Sequence, residues 1–294
     1  ASEDARDRGR VWWALMAEAD ARGSRLLRIS LPAGAPRRGL WWDPSHPGHA
    51  LDLQPVSGGH SAVFATFDPA GRSRWYLASG RITRDRFEAS KDGLQLMRRD
   101  PVLSTPKSDP RHAGRISIDF AVDARHPACR TRRASATQLA VLTIVADQRR
   151  LDWCIEPVAT PGGIPEADVN GTWYGGANDS GWGLSVHASG EGDARLLSAM
   201  LYFHDSEGWP RWAMGAARAG DHGATLTMHD YRQSCRGCMD AKLSAQALGD
   251  LRLRPGGWCA QPELRADIDL AGDPSLVFQR VETPLSRLTE ARCH

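Results

Sequence analysis

Three stretches of this chain recur in the same order further along it. Gly39-Leu40-Trp41-Trp42 matches Gly171-Thr172-Trp173-Tyr174 at an offset of 132 residues. Gly48-His49-Ala50-Leu51-Asp52-Leu53 matches Gly181-Trp182-Gly183-Leu184-Ser185-Val186 at 133, and the turn Asp68-Pro69-Ala70-Gly71 with Trp75 matches Asp205-Ser206-Glu207-Gly208 with Trp212 at 137. A shorter match pairs Ile118-Asp119-Phe120 with Ile268-Asp269-Leu270. Loop insertions between shared strands produce such a drift of offset, so an internal duplication is expected, with each half folding as the same kind of unit. It divides the chain into an N-terminal segment (1–30), a first β-domain (31–157), a Pro/Gly-rich linker (158–170) and a second β-domain with a C-terminal tail (171–294).

Within each copy the segments between turns are short, and several alternate. Ile116-Ser117-Ile118-Asp119-Phe120 reads as a half-buried strand, and Leu139 to Ala146 as a strand covered on both faces. Asp68-Pro69-Ala70-Gly71 has the residue order of a type I turn between two apolar runs, so it predicts a hairpin, as does Asp205-Ser206-Glu207-Gly208. The expected fold is all-β, two tandem antiparallel barrels or sandwiches. A short N-terminal helix is expected from Val11 to Ala19, with Trp12, Leu15, Met16 and Ala19 on one face.

The run Gly171-Thr172-Trp173-Tyr174, Ser180-Gly181-Trp182-Gly183-Leu184, then the Asp205 to Gly208 turn and Trp212, resembles a Trp/Gly-rich tandem repeat of poorly characterised exported bacterial proteins. The resemblance covers about 45 residues of each copy and implies export and a β-rich fold, with no activity to carry over. Copy one departs from it, with His49 and Ala50 where copy two has Trp182 and Gly183. The opening G-x-W also resembles the first strand of lipocalin- and avidin-like barrels.

Charge is split between the halves. Residues 1–150 carry 25 Lys+Arg against 16 Asp+Glu, and residues 151–294 carry 12 against 19. Two domains that drifted apart in charge account for the split; the functional readings are that the halves attract each other, in which case salt should loosen them, or that the first attracts anions. Nucleic acid is disfavoured, since the basic half has no helical basic stripe and no finger-type metal motif. No run approaches the eighteen apolar residues of a membrane-spanning helix. The start Ala-Ser-Glu-Asp is one that a processed export signal would leave.

An even set of six cysteines points to an oxidising compartment, periplasmic or secreted. The favoured pairing is Cys129–Cys154, Cys235–Cys238 and Cys259–Cys293. Cys235-Arg236-Gly237-Cys238 is read as a tight disulfide ahead of half a zinc site or a redox dithiol. His46, His49 and His60, with Asp43, are candidate metal ligands, although a polar loop explains them as well.

Binding is placed on aromatic side chains: Trp182, Trp212 and Tyr174 in copy two, Trp42 and Tyr76 in copy one. A Trp between two glycines, as Trp182 is, serves either as a barrel plug or as an exposed platform. There is no G-x-S-x-G, H-E-x-x-H or Walker loop. The favoured function is a non-enzymatic, exported bacterial binding protein, with no cofactor, whose partner is a small ligand, a glycan or an envelope protein. The alternatives are a metal- or thiol-dependent enzyme and a structural or assembly protein of the cell envelope.

Overall fold

The Asp68 side chain shapes its turn from within. Its Oδ1 accepts from the Ala70 and Arg72 amides at 2.9 and 3.0 Å, and the Gly71 amide donates to its carbonyl at 2.9 Å. Asp205 does the same with the Glu207, Trp209 and Gly208 amides. Each turn closes a hairpin, as the residue order predicts.

The computed structural model describes residues 5–7, 10–12, 38–99, 108–130, 138–146, 149–158, 169–179, 181–189, 196–220, 223–233, 242–258 and 261–289. β1 (Ala5–Asp7) and β2 (Arg10–Trp12) pair as a separate ribbon. Val11 and Trp12 therefore satisfy their backbone groups in a strand, not in the expected N-terminal helix, whose remaining residues, including Leu15, Met16 and Ala19, lie outside the described residues.

β3 (Gly39–Trp42), β4 (Ala50–Val56), β5 (Gly59–Phe67), β6 (Ser73–Thr83), β7 (Arg86–Ala89), β8 (Leu94–Arg99), β9 (Ser108–Asp119), β10 (Ala140–Ala146) and β11 (Arg149–Pro157) form one antiparallel sheet. Pairing runs from β3 to β7, then through β9, β10 and β11 back to β3, so eight strands make a barrel-like ring. β7 and β8 share one place in it, each pairing with β6 and with a different part of β9. β12 (Gly171–Tyr174), β13 (Gly183–Ser189), β14 (Leu196–His204), β15 (Pro210–Arg218), β16 (Ala224–Gln233), β17 (Leu243–Trp258), β18 (Gln261–Leu270) and β19 (Phe278–Arg287) close a second, eight-stranded barrel. The match between Ile118-Asp119-Phe120 and Ile268-Asp269-Leu270 does not hold in space. The first stretch runs along β9, sixth in its ring, and the second along β18, seventh in its own.

Leu51, Phe64, Ile118 and Leu142 fill the first barrel, and Trp173, Leu184, Leu201 and Ile268 the second. A third apolar cluster lies between the barrels and draws on both. Strand alternation explains it. On β5, Ala62 and Phe64 point into the barrel while Val63, Ala65 and Phe67 point to its neighbour; on β14, Leu201 and Phe203 point in while Met200 and Tyr202 point across. Strands buried on both faces lose the apolar–polar alternation of a solvated sheet, which is why Ala62 to Phe67 and Ala199 to Phe203 read as nearly continuous apolar runs.

Contacts across this seam come in matching pairs. The Trp75 indole donates to the Phe203 carbonyl at 3.3 Å, and the Trp212 indole to the Thr66 carbonyl at 3.0 Å, both sets related by 137 residues. Gly71 O accepts from the Gln233 amide, and Gly208 O from the Arg99 amide. Gly71 has φ +74°, and a Cβ there would stand 2.1 Å from the Gln233 carbonyl oxygen, so only glycine allows the turn to sit on the end of β16. Trp209 of the second barrel docks against the Arg98 and Arg74 guanidinium groups of the first, at 4.5 and 5.4 Å from its ring. The core of the seam is apolar and hydrogen-bonded, and its Arg74–Asp68 and Arg211–Asp205 ion pairs each lie within one barrel.

Candidate functional site: a cavity in the first barrel and a polar seam

Only Arg115 to Asp119 of β9 pair with β10; from Gly114 back to Ser108 the strand pairs with β8. The parting falls at Gly114, with φ +141°, where a Cβ would lie 2.2 Å from the Val145 carbonyl oxygen. A cavity of about 290 Å³ opens there. Phe64, Tyr76, Leu94, Leu96, Ile144 and Ala146 supply its apolar wall, with Ala113 beside them. Arg111 and His112, both exposed, stand at its mouth. His112 Nδ1 donates to the Asp92 carbonyl at 3.0 Å, which leaves Nε2 as the acceptor of the neutral ring and a second donor once protonated. An apolar chamber with a guanidinium and an imidazole at its entrance fits a ligand with an apolar body and one anionic end.

A second polar constellation is buried in the seam. Asp52 is 1% exposed and sits between Leu51 and Leu53, which face the first barrel's core. Its carboxylate accepts from Gln54 Nε2 at 2.8 Å and from the Ser185 hydroxyl of the second barrel. His187 Nε2 lies 3.6 Å away. Asp52 and Ser185 hold matching positions in the two copies and meet face to face. The carboxylate stands between serine and imidazole, with Ser185 wholly buried, so the set lacks the serine–imidazole contact that nucleophilic activation needs. Burial, and then the Asp52 charge, push the Tyr202 hydroxyl well above its ordinary value of 10.0.

Burial lowers His187 from its ordinary value of 6.5, against an opposing pull from Asp52. A histidine held neutral in the folded state contributes stability that is complete above 6.5 and is lost as pH falls, because the unfolded chain takes up the proton first. The His187 contribution to unfolding free energy is therefore expected to fall by up to about 1.4 kcal/mol for each pH unit below 6.5, and His204, also lowered by burial, adds a fall of the same sign. Urea titrations across pH 5–8 measure this, and His187→Gln should flatten the profile. An unchanged slope in that variant would remove His187 as its source.

The aromatic residues expected to bind do not share a face. Trp182 is 6% exposed and packs edge-on against Phe278 in the second barrel's core, so it is a plug and not a platform. Arg280 covers that end of the barrel, forking onto Asp179 at 2.6 and 2.7 Å with its guanidinium 5.8 Å from the Trp182 ring. Burial works to raise the Asp179 carboxyl, but the Arg280 fork, the Trp182 indole and the Arg99 charge together hold the group below its ordinary value. Trp212 is buried in the seam between Phe67 and Tyr231. Tyr174 and Trp42 are half-buried on β12 and β3, while Tyr76 lines the first-barrel cavity.

The three candidate metal histidines do not form one ligand set. His46 bonds Asp43 at 2.7 Å and stacks on one side of Trp153, while His49 meets the same indole edge-on and has both ring nitrogens taken by Thr66 Oγ1 and Gln233 Oε1. His60 lies near the start of β5, at the far end from Thr66. Among the described residues no three potential metal ligands converge. Cys129 and Cys154 form a disulfide beneath Leu139 and Val141. Cys235, Cys238, Cys259 and Cys293 lie outside the described residues. Among the described residues no helix is long and apolar enough to cross a membrane.

Arg111, His112 and Asp52 were not singled out from the sequence. For Asp52 a signal existed, a carboxylate between two leucines in a strand that repeats as Leu184-Ser185-Val186. Arg111 and His112 carry no such mark. Comparison with known protein families, curated proteins and solved structures finds no match for this chain.

Proposed function

We propose that this chain is a non-enzymatic binding protein of an extracytoplasmic space, built by duplication of one barrel, and that it takes a small amphipathic anion into the first barrel. The observation that carries this reading is the apolar cavity of about 290 Å³ with Arg111 and His112 at its mouth. The Cys129–Cys154 disulfide and the resemblance to exported Trp/Gly-rich repeats support the compartment. The paired contacts at a constant 137-residue offset support the duplication.

The test uses 1-anilinonaphthalene-8-sulfonate, which has an aromatic body and one anionic group. Saturable one-to-one binding with fluorescence enhancement is expected. Ala146→Trp, which fills the cavity from a half-buried position, should abolish it. Arg111→Ala should weaken it by roughly tenfold or more, as loss of a charged hydrogen bond does. Absence of saturable binding, or binding that both variants leave intact, overturns the proposal.

A further inference from the structure

A groove of about 580 Å³ runs over the outside of the first barrel, between the Ala89–Gly93 connection and the outward faces of β9 and β10. Its cations are Arg86, Lys91, Arg115 and Arg150, and Glu88 is its one lining carboxylate. Two of the four are engaged: Arg86 with Glu88 at 2.8 Å, and Arg150 with Asp152 at 2.8 and 2.9 Å. Lys91 and Arg115 make no ion pair with a described residue. The register sets the spacing. Arg115 lies opposite Val145, and Val145 opposite Arg150, so two guanidinium stems flank an exposed valine at about 10 Å, twice the strand separation. Ser117 and Thr143 form a neighbouring cross-strand pair on the same face, where Ser117 Oγ accepts from Arg86 at 3.2 Å and keeps its own hydrogen to donate, while Thr143 donates to Asp152 at 2.6 Å and keeps its oxygen lone pairs to accept.

We infer that this groove is a docking surface for an anionic polysaccharide, one whose sugars carry carboxylate or sulfate groups. Arginine forks match planar and tetrahedral anions, hydroxyls match sugar hydroxyls, and the valine offers an aliphatic seat for a ring face. Nucleic acid fits less well, since single strands need aromatic platforms to stack on and no aromatic side chain lines the groove. The groove is separate from the first-barrel cavity, sharing no lining residue with it, so the two proposals can fail independently.

The experiment is titration of the full chain with polygalacturonate, with neutral dextran and oligothymidylate alongside. Binding of polygalacturonate that weakens steeply with salt is expected, with none of dextran. Lys91→Glu with Arg115→Glu should weaken it by about tenfold or more, while Arg218→Glu with Arg252→Glu, the same charge change on exposed positions of the second barrel, should leave it within about twofold. Circular dichroism and unfolding midpoints verify that both variants are folded, and sulfonate-probe binding should be unchanged in both. Equal losses in the two variants would reduce the effect to net charge and overturn the site. Absence of polygalacturonate binding, or oligothymidylate bound at least as tightly, would overturn the polysaccharide assignment.

Discussion

Trp212→Ala is expected to destabilise the protein by about 3–5 kcal/mol, the range for removing a buried tryptophan. The side chain is 2% exposed, packs between Phe67 at 5.7 Å and Tyr231 at 5.4 Å, and donates its indole hydrogen to Thr66 O. Truncation removes all three contacts and leaves a void in the seam. Trp212→Phe retains most of the apolar area and should cost about 0.5–1.5 kcal/mol, chiefly for the lost hydrogen bond to the Thr66 carbonyl. Because Trp75 makes the reciprocal bond in the same cluster, the two alanine variants should be non-additive, with a coupling of about 0.5 kcal/mol or more. Urea unfolding of the single and double variants measures this. A loss below about 1 kcal/mol for Trp212→Ala would mean the seam can collapse around the gap.

Arg211→Ala is expected to cost a similar amount, about 3–5 kcal/mol, for a different reason. Arg211 and Asp230 are 3% and 1% exposed and bonded at 3.1 and 3.2 Å. Ser73 of the first barrel completes the cluster, donating to Asp230 at 2.8 Å and accepting from Arg211 Nε at 3.0 Å. Removing the guanidinium leaves a buried carboxylate beside Asp205 with its main counter-charge gone. Replacing both partners by apolar residues of similar size, Arg211→Met with Asp230→Leu, should recover much of that loss, since the Asp230 charge goes with its partner and the Asp205 carboxylate keeps the Glu207 and Trp209 amides. If the double variant proves as unstable as the single one, the cost lies in packing and not in the orphaned charge.

The order of the fold was largely legible because its markers are local. Asp68 and Asp205 build their turns from their own side chains, and the Gly and Trp positions that recur in the same order, at offsets of 132 to 137 residues, sit at corresponding places in the two rings. The covering of outer faces was less legible. Val63, Ala65 and Phe67 announce burial on both sides, but nothing in a single strand says that the second cover is the neighbouring barrel. For the same reason Trp212 could be taken for a ligand platform when it is a seam residue. The cavity was out of reach, because it arises where β7 and β8 share one place in the ring and β9 turns from one to the other. That is a property of pairing between segments distant in sequence, and Arg111 and His112 at the mouth look like any surface Arg and His until the pairing is known.

The seam has a consequence for assembly. Each barrel presents to the other nearly the same patch, an indole, a turn carbonyl and an apolar wall, in the manner of an isologous dimer interface. A surface that recognises its own likeness would join any two such barrels, whichever chains they came from. Carrying both on one polypeptide makes the encounter intramolecular, at an effective concentration that free chains do not reach. Each patch is then satisfied by its own chain before a stranger arrives, and an interface that could have spread into polymers closes as a single pair.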